Sequence, residues 1–314
     1  MNQKLVVIAF GGNALLRKGE NLSYQEQLRN VEQICDQLST KAAEGVRMII
    51  GHGNGPQVGN VLLQHEAGRQ VFGLESMPLD FCVAETQGAL GYMIEHGMRN
   101  MTLSKGIDRR VVTLLSQVVV DEGDAAFGNP TKPVGPFYSK EQAVVFAQRK
   151  GETYHCDPKG RGWRKVVASP KPLSILNVEL IKQMADEGNI VIAVGGGGVA
   201  VVDEGRHYRG VEAVIDKDLA LACAAVEVGA DEFYILTDVA KVCLHFNTPE
   251  ERTLDRITVA EAKQYLAEGH FAEGSMAPKI RAAIHYIEAG GKECIITDAA
   301  ELHNPSCGTR IVAE

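Results

Sequence analysis

Gly51-His52-Gly53-Asn54-Gly55-Pro56-Gln57-Val58-Gly59 follows the apolar run Arg47–Ile50 and leads into a helical pattern through Val61, Leu62, Leu63 and Glu66. A buried strand that ends in a glycine-dense loop lets backbone N–H groups approach an anion, and a departing helix adds positive partial charge. Glycine also makes ordinary strand-to-helix turns, so this stretch alone does not choose between a turn and a phosphate site. Repetition does. Gly11-Gly12-Asn13 follows the run Leu5–Phe10, and Gly195-Gly196-Gly197-Gly198 follows Ile190–Val194. Strands that each deliver glycines at their C-terminal ends predict an open α/β sheet that binds a phosphorylated ligand along that edge.

Outward from this loop, short apolar runs alternate with helix-period patterns. Ser23 and Glu26 form a capping-box pair before a helix carrying Leu28, Val31, Ile34, Cys35 and Leu38. A long helical pattern runs from Leu79 to Met98, and its Gly88 and Gly91 predict close packing of a neighbour. Val111–Leu115 and Gln117–Asp121 read as strands. Residues 122–165 differ in texture, with interleaved glycine, proline, charge and aromatics; they predict an inserted flap subdomain within one domain spanning 1–314. The chain is expected to rejoin the core at Lys165–Val167. A helix near Leu176–Glu187 follows, then strand-like runs at Ile190–Val194, Val211–Ile215, Phe233–Leu236, Val242–Phe246, Glu293–Thr297 and Thr309–Val312. Between the later runs lie a helix Leu219–Val228, another capping-box pair at Thr258 and Glu261, and a helix with Pro278 in its first turn. This alternation predicts a mainly parallel α/β fold without internal repeats.

The 314 residues are 45% hydrophobic and 23% charged, an ordinary globular composition, and the net charge of −8 argues against nucleic-acid binding. Five of seven cysteines, Cys35, Cys82, Cys223, Cys243 and Cys294, sit in apolar patterns and read as reduced, packed thiols of a cytosolic protein. Neither a Cys-x-x-Cys pair nor clustered Cys/His spacing points to zinc. No charged-then-apolar leader precedes the first strand and no apolar run reaches membrane-spanning length, so neither export nor a membrane is expected.

Phosphoryl transfer between anions needs positive charge around the moving group, backbone donors and usually Mg²⁺. Lys217 lies between Asp216 and Asp218 at a strand-to-helix junction. Lys279 opens a helix, where a cation is disfavoured unless an anion accompanies it. Lys132 sits in the stiff segment Pro130-Thr131-Lys132-Pro133. Asp216 and Asp218 read either as helix caps or as groups that orient lysines and a water-bridged Mg²⁺. His52, with no carboxylate pattern nearby, reads as a loop hydrogen-bonder.

Together these motifs resemble those of the carbamate kinases, within the amino acid kinase family. The resemblance rests on Gly11-Gly12-Asn13-Ala14-Leu15, His52 to Gly59, Asn129-Pro130-Thr131-Lys132-Pro133, Gly160-Arg161-Gly162-Trp163-Arg164, Gly195 to Gly198, Gly210 to Asp218, and Gly269-His270-Phe271 through Gly274-Ser275-Met276 to Lys279. The Pro-Thr-Lys-Pro and Val-Ile-Asp-Lys-Asp segments are the most specific. The resemblance implies a three-layer αβα sandwich, a cytoplasmic homodimer, and reversible phosphoryl transfer between ATP and carbamate with Mg²⁺, running toward ATP in catabolism such as that of arginine. By position it implies that Lys132, Lys217 and Lys279 surround the transferring group while Asp218 orients them or the metal shell. Gly11, Gly12, Asn13, Gly53, Asn54 and Gly55 would hold carbamoyl phosphate; Gly195, Gly196, Gly197, Gly198, Thr237, Asp238, Val239, Lys241 and Met276 would hold the nucleotide.

Ala200, Ala240 and Cys243 depart from the family's usual proline, aspartate and tyrosine. They keep open a non-catalytic nucleotide-binding relative, and a kinase of another small carboxylate is the alternative within enzymes. A dinucleotide-binding oxidoreductase is disfavoured, because no Gly-x-Gly-x-x-Gly follows the first strand.

Overall fold

The structure is a computed structural model that describes residues 3–11, 15, 23–157 and 160–314. Helix α1 (Tyr24–Ala43) connects strands β1 (Leu5–Phe10) and β2 (Arg47–His52), and starts at the Ser23–Glu26 capping box. After β2 come α2 (Gly55–Phe72), the long α3 (Leu79–Ser104), β3 (Val111–Thr113) and β4 (Gln117–Val120). A subsidiary antiparallel sheet follows, built from β5 (Lys132–Tyr138), β6 (Thr153–Cys156) and β7 (Trp163–Val167), with α4 (Lys140–Lys150) between β5 and β6. The chain continues through β8 (Pro172–Ile175), α5 (Val178–Asp186), β9 (Ile190–Ile192), β10 (Val199–Asp203) and β11 (Tyr208–Gly210). Next come α6 (Lys217–Glu227), β12 (Glu232–Thr237), the short pair β13 (Cys243–Leu244) and β14 (Arg252–Thr253), and β15 (Arg256–Thr258). Helices α7 (Val259–Ala267) and α8 (Met276–Glu288) and strands β16 (Cys294–Asp298) and β17 (Thr309–Val312) complete it.

The main sheet has the order β15-β17-β16-β12-β1-β2-β9-β3, and every neighbouring pair is parallel except β16–β17. Its central strand shows why three layers form. Successive strand residues point to opposite faces. Leu5, Val7 and Ala9 of β1 enter one core with α6 and α8, where Leu221, Ala224, Ile280 and Ile284 are buried. Val6, Ile8 and Phe10 enter a second core with Val31, Ile34 and Leu38 of α1 and Leu90, Ile94 and Met98 of α3. Each such side chain contributes about 1.5–3 kcal/mol by leaving water. A strand apolar on both faces must be covered on both.

Three sequence readings change. Gln117–Asp121 supplies β4, but β4 belongs to a separate sheet of order β11-β10-β4-β8. Lys165–Val167 does not return to the core sheet; it finishes β7, where Val167 pairs with Lys132. Val211–Ile215 is not a strand, although Ala213 bridges Ala168 and Val214 N–H donates to Ala168 O at 3.0 Å. Of the long helix's glycines, Gly91 packs closely: a Cβ there would lie 2.3 Å from Thr113 Cγ2, whereas one on Gly88 would meet open space.

Candidate active site

The parallel strands β1, β2, β9 and β12 end on one edge, and their loops build the site. Gly53 N–H donates to Phe10 O at 3.0 Å, which ties the loop after β2 to the end of β1. Gly51 has a packing duty. A Cβ there would lie 2.4 Å from Leu221 Cδ2, so its absence lets α6 settle onto the sheet. That approach sets the N-terminus of α6, with Lys217 and Asp218, near His52; the Lys217 charge acts on the His52 ring. His52 is itself buried, with Nδ1 3.1 Å from Gly53 O, and burial lowers its pKa to about 4. It is neutral at pH 7 and serves the loop, as its sequence setting suggests.

Asn54 caps the start of α2 by position only; its amide Nδ2 donates to Thr86 Oγ1 of α3 at 2.9 Å. Gly55 then opens α2, and a Cβ there would meet nothing within 4 Å. Gly11 is described at the end of β1, half-buried, while Gly12 and Asn13 lie outside the described residues.

Three lysines from three parts of the chain meet two aspartates. Lys132, the first residue of β5, donates to Asp216 Oδ2 at 2.7 Å. Lys217 Nζ donates to Asp218 Oδ1, and Lys279 Nζ, from the first turns of α8, donates to Asp218 Oδ2 at 3.0 Å. Both oxygens of buried Asp218 are thus engaged. Burial opposes its ionisation, yet Lys217 and Lys279 hold its carboxyl far below the usual carboxylate range. Burial likewise opposes ionisation of Asp216, and Lys132 with Lys217 more than offsets it. Lys217 answers in the other direction: desolvation pushes its ammonium down to about 8, against the pull of Asp218 and with the push of Lys279. The five charges sum to one net positive.

Asp216 performs both duties that its position left open. Its Oδ1 accepts from Asp218 N–H at 3.0 Å and Leu219 N–H at 3.4 Å as the N-cap of α6, while Oδ2 takes Lys132. One carboxylate therefore joins the helix start to the subsidiary sheet.

That sheet is seated on the body by apolar contact. Val134 and Val167 pack with Val58 of α2 and Leu79, Cys82 and Val83 of α3. At the seam, a Cβ on Gly59 would lie 2.5 Å from Gly135 Cα, so α2 and β5 touch backbone to backbone. On the sheet's outer side Arg161 and Arg164 lie over the Phe137 ring at 4.7 and 5.3 Å.

The residues read as nucleotide-binding fall into two places. Thr237 ends β12 and Asp238 and Val239 follow it, with Thr237 Oγ1 donating to Asp238 Oδ1 at 3.1 Å. Lys241 pairs with exposed Asp255, and Met276 begins α8 one turn before Lys279. The run Gly195–Gly198 lies elsewhere. It follows β9, on the far side of β2 from β12, about 14 Å away at roughly 4.8 Å per strand. A Cβ on Gly195 would lie 2.4 Å from His52 Nε2, and one on Gly196, at φ +65°, 2.2 Å from Asn54 Nδ2. Gly195 and Gly196 therefore pack against the loop after β2, while Gly197 faces Ile215 and Gly198 faces Val118. A glycine run looks the same in sequence whether a ligand or a neighbouring loop presses on it. Departing Ala200 is fully buried in β10 beside Val118, in the second sheet.

The model of the amino acid kinase family matches residues 4–298. The chain is 46% identical to a carbamate kinase of Thermococcus kodakarensis, over 99% of this chain and all of that protein. It is 46% identical to a carbamate kinase of Pyrococcus furiosus, over 98% of this chain and 99% of that one. Among solved structures, carbamate kinase from Giardia lamblia bound to AMP-PNP superposes with a TM-score of 0.91 at 41% identity, covering 99% of each chain.

Proposed function

The chain belongs to the amino acid kinase family, and we propose that its phosphoryl transfer, between ATP and carbamate, runs through Lys132, Lys217 and Lys279. The observation that carries this reading is the convergence of these lysines, from β5, α6 and α8, on Asp216 and Asp218 beside the glycine loop. A loose phosphoryl-transfer transition state asks for positioning and electrostatic stabilisation more than for a covalent nucleophile. Asp216 and Asp218 keep the three ammonium groups in place before substrate arrives, and the single net positive charge draws an anion in.

Carbamoyl phosphate sits over Gly11, Asn54 and Gly55 at the N-terminus of α2, with Gly53, whose N–H donates to Phe10 O, shaping the loop beneath it; Gly12 and Asn13 are the other residues that the resemblance implies for this set. Nucleotide lies over Thr237, Asp238, Val239, Lys241 and Met276, two strands from the glycine loop. Lys132 rides on the subsidiary sheet, so seating that sheet at Gly59 completes the lysine set and excludes water from the transferring group.

Magnesium fits as an ion that arrives on the nucleotide. Among the described residues, no set of three His, Cys, Asp or Glu side chains converges at the lysines, and both aspartates there are already paired. Mg²⁺ favours few protein carboxylates and several phosphate and water oxygens, so Asp216 and Asp218 meet at most its water shell. When bound it neutralises charge on the nucleotide phosphates.

The reaction runs toward ATP, consuming carbamoyl phosphate in a catabolic route such as that of arginine, in the cytoplasm. Among the described residues, no helix is long and apolar enough to cross a membrane. For a homodimer the support is the exposed apolar side chains Phe81, Tyr92 and Leu103 along α3 and Val71, Phe72 and Leu74 at and beyond the end of α2, which a second copy would cover. Sedimentation of the pure protein as a monomer would remove the dimer from this reading.

The deciding experiment is coupled ATP formation from carbamoyl phosphate and ADP, with and without Mg²⁺. Magnesium-dependent ATP formation is expected, with carbamoyl phosphate preferred over acyl phosphates. Folded protein that binds ADP and makes no ATP would overturn the reading.

A further inference from the structure

Away from the lysines, three potential metal-ligating side chains converge between α2 and α3. His65 Nε2 lies 2.9 Å from Glu85 Oε2, and the ligand atoms of His65, Cys82 and Glu85 all fall within 4.8 Å of one another. Cys82 and Glu85 stand three residues apart on α3, so both side chains reach the same side of that helix. His65 meets them from α2. The thiol is fully buried, whereas His65 and Glu85 are partly open to solvent, which gives an ion a way in.

The charge around this cluster favours a cation. Glu85, Asp80 and Glu212 all act on the Cys82 thiol, and His65 is the one basic group paired within the cluster. Burial, first, and these carboxylates push the thiol up to about 11. Imidazole, thiolate and carboxylate together suit a borderline ion such as Zn²⁺ much better than Mg²⁺ or Ca²⁺.

We propose that His65, Cys82 and Glu85 form a transition-metal site, of the type that takes Zn²⁺, clipping α2 to α3. Binding draws the three ligand atoms, now within 4.8 Å of one another, onto the ion, and water fills a fourth tetrahedral position. On binding, the S–H bond breaks, the proton goes to buffer, and a sulfur–metal bond forms without change of oxidation state. Cys82 packs with Val58, Val134 and Val167 in the cluster that seats the subsidiary sheet. Occupancy therefore stiffens the surface on which Lys132 is carried.

The test is titration of reduced, chelator-treated full-length protein with Co²⁺ in the absence of nucleotide. One equivalent should give a thiolate-to-cobalt charge-transfer band with intense tetrahedral visible absorption, and Zn²⁺ should bleach both. Cys82→Ser should abolish the band, while Cys156→Ser, at an exposed thiol, should keep it. His65→Gln and Glu85→Gln should each weaken binding by about tenfold or more. Absence of the band in wild type, or its survival in Cys82→Ser, overturns the site. If Cys82→Ser does not fold, unchanged affinity in both His65→Gln and Glu85→Gln overturns it equally.

Discussion

Lys132 Nζ donates to Asp216 Oδ2 at 2.7 Å, across 84 positions of sequence. The lysine belongs to the subsidiary sheet and the aspartate caps helix α6, so this contact joins the inserted segment to the element that carries Lys217 and Asp218. Lys132→Ala is expected to lower the rate of ATP formation about 10²–10³-fold, the usual cost of one lost electrostatic contact to a transition state. Affinity for ADP, measured by calorimetry, should stay near wild type. An unchanged rate would take Lys132 out of the mechanism.

Asp216 offers a way to separate its two duties. Asparagine caps a helix about as well as aspartate but carries no charge to hold Lys132. Asp216→Asn should keep the melting temperature close to wild type while turnover falls at least tenfold. Asp216→Ala should lose turnover and also about 0.5–2 kcal/mol of stability from the missing cap. Equal melting temperatures for the two variants would count against the capping duty.

The pH profile follows from Lys217. Burial lowers its ammonium to about 8, so it loses its charge as pH rises through that value in the free protein. Less positive charge then faces the phosphoryl group, and kcat/KM should fall on the alkaline side with an apparent pKa near 8. A bound phosphate favours the protonated lysine, so the corresponding limb of kcat should lie at higher pH. Lys217→Arg, which stays charged, should lose the alkaline limb even if its rate is low. A flat profile from pH 7 to about 9.5 would contradict this account.

Seating of the subsidiary sheet is open to a glycine test. Gly59→Ala places a methyl 2.5 Å from Gly135 Cα, a backbone atom that cannot swing aside. Turnover should fall while the main sheet remains folded by circular dichroism. Gly68→Ala, on the same helix, meets only the Leu74 side chain, at 3.5 Å or more. It should leave turnover unchanged and stabilise α2 by about 0.5–1 kcal/mol, since alanine orders at lower entropic cost. If both variants behave alike, the seam has no part in catalysis.

Much of this protein was legible in one dimension because the signals are local. Continuous apolar runs such as Leu5–Phe10 mark strands covered on both faces, and Ser23–Glu26 and Thr258–Glu261 mark helix starts by hydrogen bonds spanning three residues. Lys132, Lys217, Lys279 and Asp218 could be named because glycine, proline and helix-start settings are unusual places for a solvated charge. Their pairing could not be read, nor the double duty of Asp216, because those contacts join positions 61 and 84 residues apart.

The sequence by itself thus determined the fold class, the loops and the charged groups, through periodicity and local backbone chemistry. Tertiary structure alone decided which loops touch. It set Gly195 and Gly196 against the loop after β2, where neither has room for a side chain beside His52 and Asn54. It also assigned β4 to a second sheet and brought His65 to Cys82 and Glu85, two placements that depend on strand order and helix packing. Such packing is a property of surfaces meeting in space, and no spacing along the chain encodes it locally.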